Sequence, residues 1–312
     1  MSIERALELA ERARGTTHPN PAVGAVVMRD GAIVGEGWTQ PPPGAHAEVV
    51  ALDQAGPQAS GATLYVTMEP CSHHGRTPPC VDRVLEAGVS KVVAGSLDPS
   101  PDARGGLDSL RARGVDVELV DSFAARQQNE AWRMWVTKRR PFVILKAAVT
   151  VDGRVTLPGS RWVSGEASRR RVHDLRAEVD AVAVGMGTVR ADDPKLTARG
   201  VDARKQPRRL AFGRGPVPRG SGLELRTGPL PEELEALATE GVQSVLLEGG
   251  PTLAASFLRG DLVDKLLLFI APHISGSGPL LFGERDAPLR LRRLRTEPVG
   301  DDVLLTAYVN EP

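Results

Sequence analysis

A chain of 312 residues, 41% hydrophobic and 25% charged, is globular and too long for one ordinary core, so two domains are expected. Its 39 basic and 39 acidic residues cancel and only 4% of the chain is aromatic, which argues against nucleic acid as the partner. Two cysteines exclude a disulfide scaffold and fit a reducing cytoplasm, and the longest clean apolar runs, such as 266–271, are far too short to span a bilayer.

The first fifteen residues, MSIERALELAERARG, alternate charged and apolar positions. They read as an amphipathic helix with Ile3, Leu7 and Ala10 on one face rather than as a signal peptide. Residues 23–28 and 33–38 follow as two strands joined by an Arg29-Asp30-Gly31 turn, a hairpin signal. Asn20 lies between two prolines just before the first strand, and either presents its amide to a ligand or makes a plain turn. The pattern then becomes helix (47–54), strand (63–67), helix (80–87), strand (91–94), helix (107–113) and strand (117–120). Such alternation implies a mostly parallel sheet covered on both faces, with sites beyond the carboxyl ends of its strands.

Three soft metal ligands, His46, Cys71 and Cys80, fall within this stretch, and Glu48 stands two residues from the histidine. Three protein ligands are what a catalytic zinc ion takes, with one position left for water. A carboxylate that is not a ligand is then needed to carry protons. Residues two apart do not share a face of a helix, so His46 must lie at or before a helix start with Glu48 in its first turn. The preceding Pro41-Pro42-Pro43-Gly44 cannot continue a helix backwards. Pro70-Cys71 and Pro79-Cys80 suggest two further helix starts, where a thiolate is favoured. The other reading of the same donors is a closed structural site with His73 or His74 as fourth ligand, in which Glu48 has no task.

Residues 121–140 form a charged helical segment ending in a basic cluster, read as a solvated face and linker end; the domain boundary is placed there, giving domains at 1–140 and 141–312. Residues 142–149, FVILKAAV, fit a strand buried on both faces. Its Lys146 needs a partner or a task, unless it reaches its head out to water. An arginine-rich helix, a strand at 181–185 and the loop MGTVRADDPKLTAR come next. VQSVLLEGGPTLAASFL then reads as a strand, Glu248-Gly249-Gly250, and a helix whose amino terminus is a natural phosphate seat. Tight strand–helix turns need glycines anyway, so Glu248 is the sharper signal, a carboxylate able to bind a sugar hydroxyl or an amine.

Together THPNPAVGAVV, HAEVVAL, TLYVTMEPCSHHGRTPPC and AGSLDPSP resemble the amino-terminal half of the bifunctional deaminase/reductase family of bacterial riboflavin biosynthesis. The discriminating feature is the ten-residue span from Cys71 to Cys80, longer than the Cys-x-x-Cys usual in cytidine and tRNA-adenosine deaminases. K-x-x-V-T-V-D-G-R, S-R-W-V-S, T-V-R-A-D-D-P-x-L-T-x-R and L-E-G-G-P-T-L resemble the family's reductase half. The resemblance implies a cytidine-deaminase-like three-layer α/β/α domain followed by a dihydrofolate-reductase-like α/β domain, with Zn2+ and NADPH as cofactors. It implies zinc on His46, Cys71 and Cys80, proton transfer by Glu48, and a deaminase substrate pocket lined by Asn20, His73, Arg76 and Asp98. In the second half it implies catalysis by Lys146 and substrate contacts from Ser160, Arg176, Leu196, Arg199 and Glu248. The cofactor side would comprise Ala148, Trp162, Thr188, Asp192 and the run Gly250, Pro251, Thr252, Leu253, Ala254, Ala255 and Ser256.

The implied reaction is hydrolytic deamination of a phosphoribosylated diaminopyrimidinone, then reduction of its ribosyl group to ribityl, by a cytoplasmic homo-oligomer with neither nucleic acid nor membrane as partner. Two departures from the family pattern stand out: a loop after Pro101 about a residue short, and RRLAFGRG where a strand ending in Asp-Ser is usual. A further strand is missing or shortened across 215–235. A deaminase whose second domain has lost or changed its cofactor use is therefore the alternative, and a non-catalytic zinc-stabilised scaffold is a second. Arg204, Lys205, Arg208 and Arg209 either hold a 2′-phosphate or form a solvated loop.

Overall fold

The computed structural model describes residues 2–74, 78–285 and 287–312. The chain divides into two units, Met1–Lys138 with Pro312, and Arg139–Glu311. In the first, the elements run α1 (Ser2–Ala13), β1 (Gly24–Arg29), β2 (Ala32–Trp38), α2 (Ala47–Ala55), β3 (Thr63–Val66), α3 (Cys80–Glu86), β4 (Lys91–Ala94), α4 (Gly106–Ala112), β5 (Asp116–Leu119), α5 (Phe123–Gln128) and α6 (Glu130–Lys138). Asp30 and Gly31 both adopt positive φ (51° and 80°), the conformation a two-residue hairpin turn requires. The sheet order is β2-β1-β3-β4-β5. β3, β4 and β5 are parallel, and β1 is antiparallel to both β2 and β3.

Side chains alternate across this sheet as the pleat dictates. Ala25 and Val27 join α2, α3 and α4 in the main core, while Val26 packs under α1 with Ala6 and Leu9. The result is three layers. The buried face of α1 is Ala6, Leu9, Ala10 and Ala13; of the expected Ile3, Leu7 and Ala10 only Ala10 lies on it, and Ile3 and Leu7 are half-buried. The cause lies in Gly24, where an added Cβ would sit 1.9 Å from the Ala6 carbonyl oxygen. The strand therefore touches helix backbone directly, which selects the small-residue face.

Two further expectations are corrected. Pro70-Cys71 does not begin a helix; only Cys80 does, with Pro79 as its N-cap. The chain leaves β3 extended and loops back, so that the Val81 N–H donates to the Cys71 carbonyl (3.3 Å). Within the 121–140 segment the basic run is a solvated linker end at Lys138 and Arg139 but not at Arg140, which is half-buried. The segment's two helices break at Asn129, whose side chain accepts from Ala22 N and donates to Ala22 O (both 2.8 Å), and Trp132 is in the main core. At the end of the basic run, Arg140 donates both prongs to Asp264 (2.7 Å each).

The second unit contains β6 (Phe142–Thr150), α7 (Glu166–Glu178), β7 (Ala181–Gly185), α8 (Met186–Asp192), β8 (Arg208–Phe212), β9 (Glu224–Arg226), α9 (Leu230–Thr239), β10 (Ser244–Leu247), α10 (Pro251–Arg259), β11 (Lys265–Ala271), β12 (Arg292–Val299) and β13 (Asp302–Tyr308). Its eight-stranded sheet is ordered β12-β13-β11-β6-β10-β7-β8-β9. From β11 to β9 every neighbour is parallel; β13 and β12 add an antiparallel edge. Residues 186–192, expected as loop, form α8: Met186 and Val189 bury one face, and Asp193 ends it in the left-handed region (φ 38°). The strand anticipated as missing or shortened is the three-residue β9. Among the described residues no helix is long and apolar enough to cross a membrane.

Candidate functional site

In the first unit the site is built on the start of α2. His46 is its N-cap, with extended backbone (φ −72°, ψ 161°), and Glu48 lies in its first turn, as a two-residue spacing requires if both are to face one point. Gly35 and Gly37 of β2 allow this approach: Cβ atoms added there would fall 2.1 Å from Ala51 O and 2.3 Å from Ala47 O. His46 Nδ1 lies 3.2 Å from Cys80 Sγ and 3.7 Å from Cys71 Sγ. One ligand atom from each of the three residues falls within a 4.8 Å group. Neither His73 nor His74 belongs to this group, which among the described residues has no fourth His, Cys, Asp or Glu.

The donor chemistry fits a soft dication. The hydrogen bond from Cys80, with help from His46, pulls the Cys71 thiol down to about 4. The same sharing with Cys71, together with burial, pushes Cys80 up. Two thiols this close do not both ionise unless a cation lies between them, and zinc takes this histidine–thiolate set. Burial pushes the Glu48 carboxyl up to about 7, in the range useful for carrying protons at neutral pH.

These groups open onto a cavity of about 330 Å³, which Asn20, His46, Glu48, Cys71, His73 and Asp98 help to line. The Asn20 backbone is held by Thr17, N–H to carbonyl at 2.7 Å. Its side-chain amide has no hydrogen-bond partner among the described residues. Asp98 is buried, and desolvation pushes its carboxyl up to about 6. Arg76 lies outside the described residues. The sequence reading passed over Glu69, although the Glu-Pro-Cys run put it beside a ligand. Its buried carboxylate accepts from the N–H groups of Asp98 (3.1 Å), Gly105 (3.1 Å) and Leu107 (3.0 Å), so it fixes the loop bearing Asp98 and the start of α4.

The second unit carries a cavity of about 1050 Å³ at the carboxyl ends of β6, β7, β8 and β10. Glu248, just past β10, gathers two cations. Arg176 Nε and Nη2 donate to its two oxygens at 2.6 and 3.0 Å, and Lys146 Nζ lies 3.4 Å away. Lys146 is thus partnered rather than turned to water. Burial alone would raise the Glu248 carboxyl, but Lys146 and Arg176 hold it below its ordinary value. Ala148, Trp162, Thr188, Asp192, Arg199, Gly250, Pro251, Thr252, Leu253 and Ser256 also line this cavity.

Four of the sequence-derived residues do not line it. Ala254 is in the core on the sheet-facing side of α10, and Ala255 is half-buried on the same helix. Leu196 is buried at positive φ (53°). Ser160 accepts from Trp162 N (3.2 Å) and donates to Trp162 O (2.7 Å), closing its own turn. The basic stretch 204–209 is also outside: Lys205 pairs with Asp180, Arg208 with Glu224 and Glu240, and Arg209 donates to Ser221 O. Eight basic side chains and two carboxylates line the cavity, an excess suited to a ligand with several phosphates.

A family model described as the RibD C-terminal domain matches residues 141–305, and one described as the cytidine and deoxycytidylate deaminase zinc-binding region matches residues 2–96. The chain is 40% identical to the riboflavin biosynthesis protein RibD of Aquifex aeolicus, over 97% of this chain and 96% of that one. Its fold is similar to Acinetobacter baumannii RibD, with a TM-score of 0.86 and 33% identity over 98% and 97% of the two chains. It is similar also to a Thermotoga maritima protein described as a diaminohydroxyphosphoribosylaminopyrimidine deaminase/5-amino-6-(5-phosphoribosylamino)uracil reductase, with a TM-score of 0.85 and 33% identity over the same shares. Both halves are matched, which leaves the deaminase-only alternative without support. The chain belongs to the RibD family, the bifunctional zinc-dependent deaminases and NADPH-dependent reductases of riboflavin biosynthesis.

Proposed function

We propose that the unit ending near residue 140 deaminates 2,5-diamino-6-(5-phosphoribosylamino)pyrimidinone, and that the unit beginning there reduces the product's ribosyl group to ribityl. The observation that carries this reading is the convergence of His46, Cys71 and Cys80 within 4.8 Å, with the buried Glu48 on the same cavity. In it, His46, Cys71 and Cys80 hold zinc, which when bound acidifies water and so supplies the nucleophile. Glu48 takes the proton released by that water, passes it to a ring nitrogen, and assists ammonia in leaving. Asn20, His73 and Asp98 orient the pyrimidine, and Arg76 offers a two-pronged donor to the substrate phosphate.

In the second unit NADPH, when bound, supplies the hydride. Lys146 stands at the reacting carbon between sugar and amine, held there by Glu248, while Arg176 and Arg199 face the substrate phosphate. The start of α10 offers the backbone N–H groups of Gly250, Thr252 and Leu253 to the cofactor's pyrophosphate, with Pro251 setting the first turn and Ser256 one turn further on. A cytoplasmic homo-oligomer, a dimer or tetramer, belongs to the same reading; light scattering giving the monomer mass would count against it.

Incubation of the zinc-loaded chain with the diaminopyrimidine, with and without NADPH, tests the reading by mass. Amine-to-oxo exchange alone is expected without NADPH, followed by gain of two hydrogens with it. An unchanged substrate mass in both reactions would overturn the reading.

A further inference from the structure

Along the rim of the large cavity the strands lie in the order β6, β10, β7, β8, so Lys146 on β6 and the end of β8 are three strand spacings apart. At the usual spacing that is roughly 14 Å. The start of α10, which follows β10, lies between them. This is the layout a dinucleotide needs across the carboxyl edge of a parallel sheet: a reacting end, a pyrophosphate seat and a far end. The first two are assigned above. The far end is formed by α8 and the loop after β8.

That loop is Gly213-Arg214-Gly215, with positive φ at both glycines (125° and 115°), backbone that side-chain-bearing residues rarely adopt. An added Cβ on Gly213 would meet Met186 at the start of α8 (3.3 Å), and one on Gly215 would lie 3.6 Å from Arg190 Nη1. The loop therefore lies on α8, with Arg190 against it and Arg214 at its tip. Both arginines line the cavity. Neither side chain makes a hydrogen bond or ion pair among the described residues. Arg226 reaches the same end but is held by Glu240 at 2.9 and 3.1 Å. Asp192, the carboxylate on the same helix, forms no pair with either arginine.

We propose that Arg190 and Arg214 form the subsite for the 2′-phosphate of NADPH and so set its preference over NADH, an inference that rests on the second unit being the reductase. Two guanidinium groups left without protein carboxylates suit a dianionic phosphate, which they can grip with paired N–H groups. The basic cluster at 204–209 cannot serve, because its charges are spent outside the cavity.

The test uses the full-length zinc-loaded protein and its Arg190→Ala, Arg214→Ala and double variants, titrated with NADPH, NADH and 2′,5′-ADP. Each single variant should weaken NADPH about tenfold, the size of one charge-assisted hydrogen bond at an exposed site, with NADH within about twofold. The double variant should lose about a hundredfold on NADPH and 2′,5′-ADP alike, and Arg214→Lys should recover part of the single loss. Thermal unfolding should not move, since neither side chain has a protein partner. Equal losses for NADPH and NADH would overturn the proposal. So would a rise confined to the KM of the pyrimidine substrate, which would assign the arginines to the substrate's phosphate. Failure of the wild type to bind either dinucleotide would instead remove the reductase reading itself, and this proposal with it.

Discussion

Gly37→Ala tests whether the metal site depends on how closely α2 approaches the sheet. The new Cβ would lie 2.3 Å from Ala47 O, 2.6 Å from Ala51 N and 2.9 Å from Val50 Cβ, where ordinary contacts begin at 3.4 Å. Two of these atoms are helix backbone, so no side chain can rotate away. The start of α2 must therefore retreat by about 1 Å, carrying His46 and Glu48 with it. Overpacking of this kind costs about 1–3 kcal/mol of stability. A displacement of about 1 Å in catalytic groups can cost about a hundredfold in rate. Gly31→Ala is the control: it lies in the hairpin turn with nothing within 4 Å, and its positive φ costs about 1 kcal/mol without reaching the site. Ammonia release and thermal unfolding, measured on both variants, should separate them: both lose stability, but only Gly37→Ala loses deamination. Wild-type ammonia release in Gly37→Ala would refute the reasoning.

Arg140→Ala leaves the Asp264 carboxylate, whose side chain is fully buried, without its cation. A loss of about 3–5 kcal/mol is expected in urea unfolding, and a loss under about 1 kcal/mol would show the pair to be dispensable. Glu248→Gln removes the one charge that both Lys146 and Arg176 share; NADPH oxidation should fall about ten- to a hundredfold, and an unaltered rate would remove Glu248 from the account. The pKa of His173 is lowered, by burial first and then by Arg176 and Arg199. A histidine shifted this way contributes stability that is full above its ordinary value near 6.5 and is lost as pH falls below it. NMR should show His173 titrating below 6.5, and ribose 5-phosphate bound between those arginines should move it upward. No movement at saturation would mean that the phosphate lies elsewhere.

What could be read from the sequence depended on how local the deciding contact was. The start of α2 was legible because Pro41-Pro42-Pro43-Gly44 stops a helix from one side and the His46–Glu48 spacing demands a helix on the other. The convergence of His46, Cys71 and Cys80 was legible because the chain has only two cysteines. The face of α1 was not, since Ile3 and Leu7 compete with Ala6 and Leu9 at equal periodicity, and the choice was made by Gly24, eleven residues beyond the helix. α8 was hidden by Asp192-Asp193-Pro194, which reads as a turn and is in fact the helix's end. Asn129 in its loop gave no hint of Ala22, 107 residues away. Cavity-facing character is likewise tertiary: Arg204 to Arg209 and Arg214 are equally basic in sequence, and only the order of strands tells which of them reach the cavity.

Zinc content and ammonia release measured on one preparation of Glu48→Gln address the central assignment, that one histidine and two cysteines hold the ion while the nearby acid moves protons. The account predicts about one zinc per chain, as in the wild type, with ammonia release slowed by about a hundredfold or more. Wild-type ammonia release from that zinc-loaded variant would contradict it.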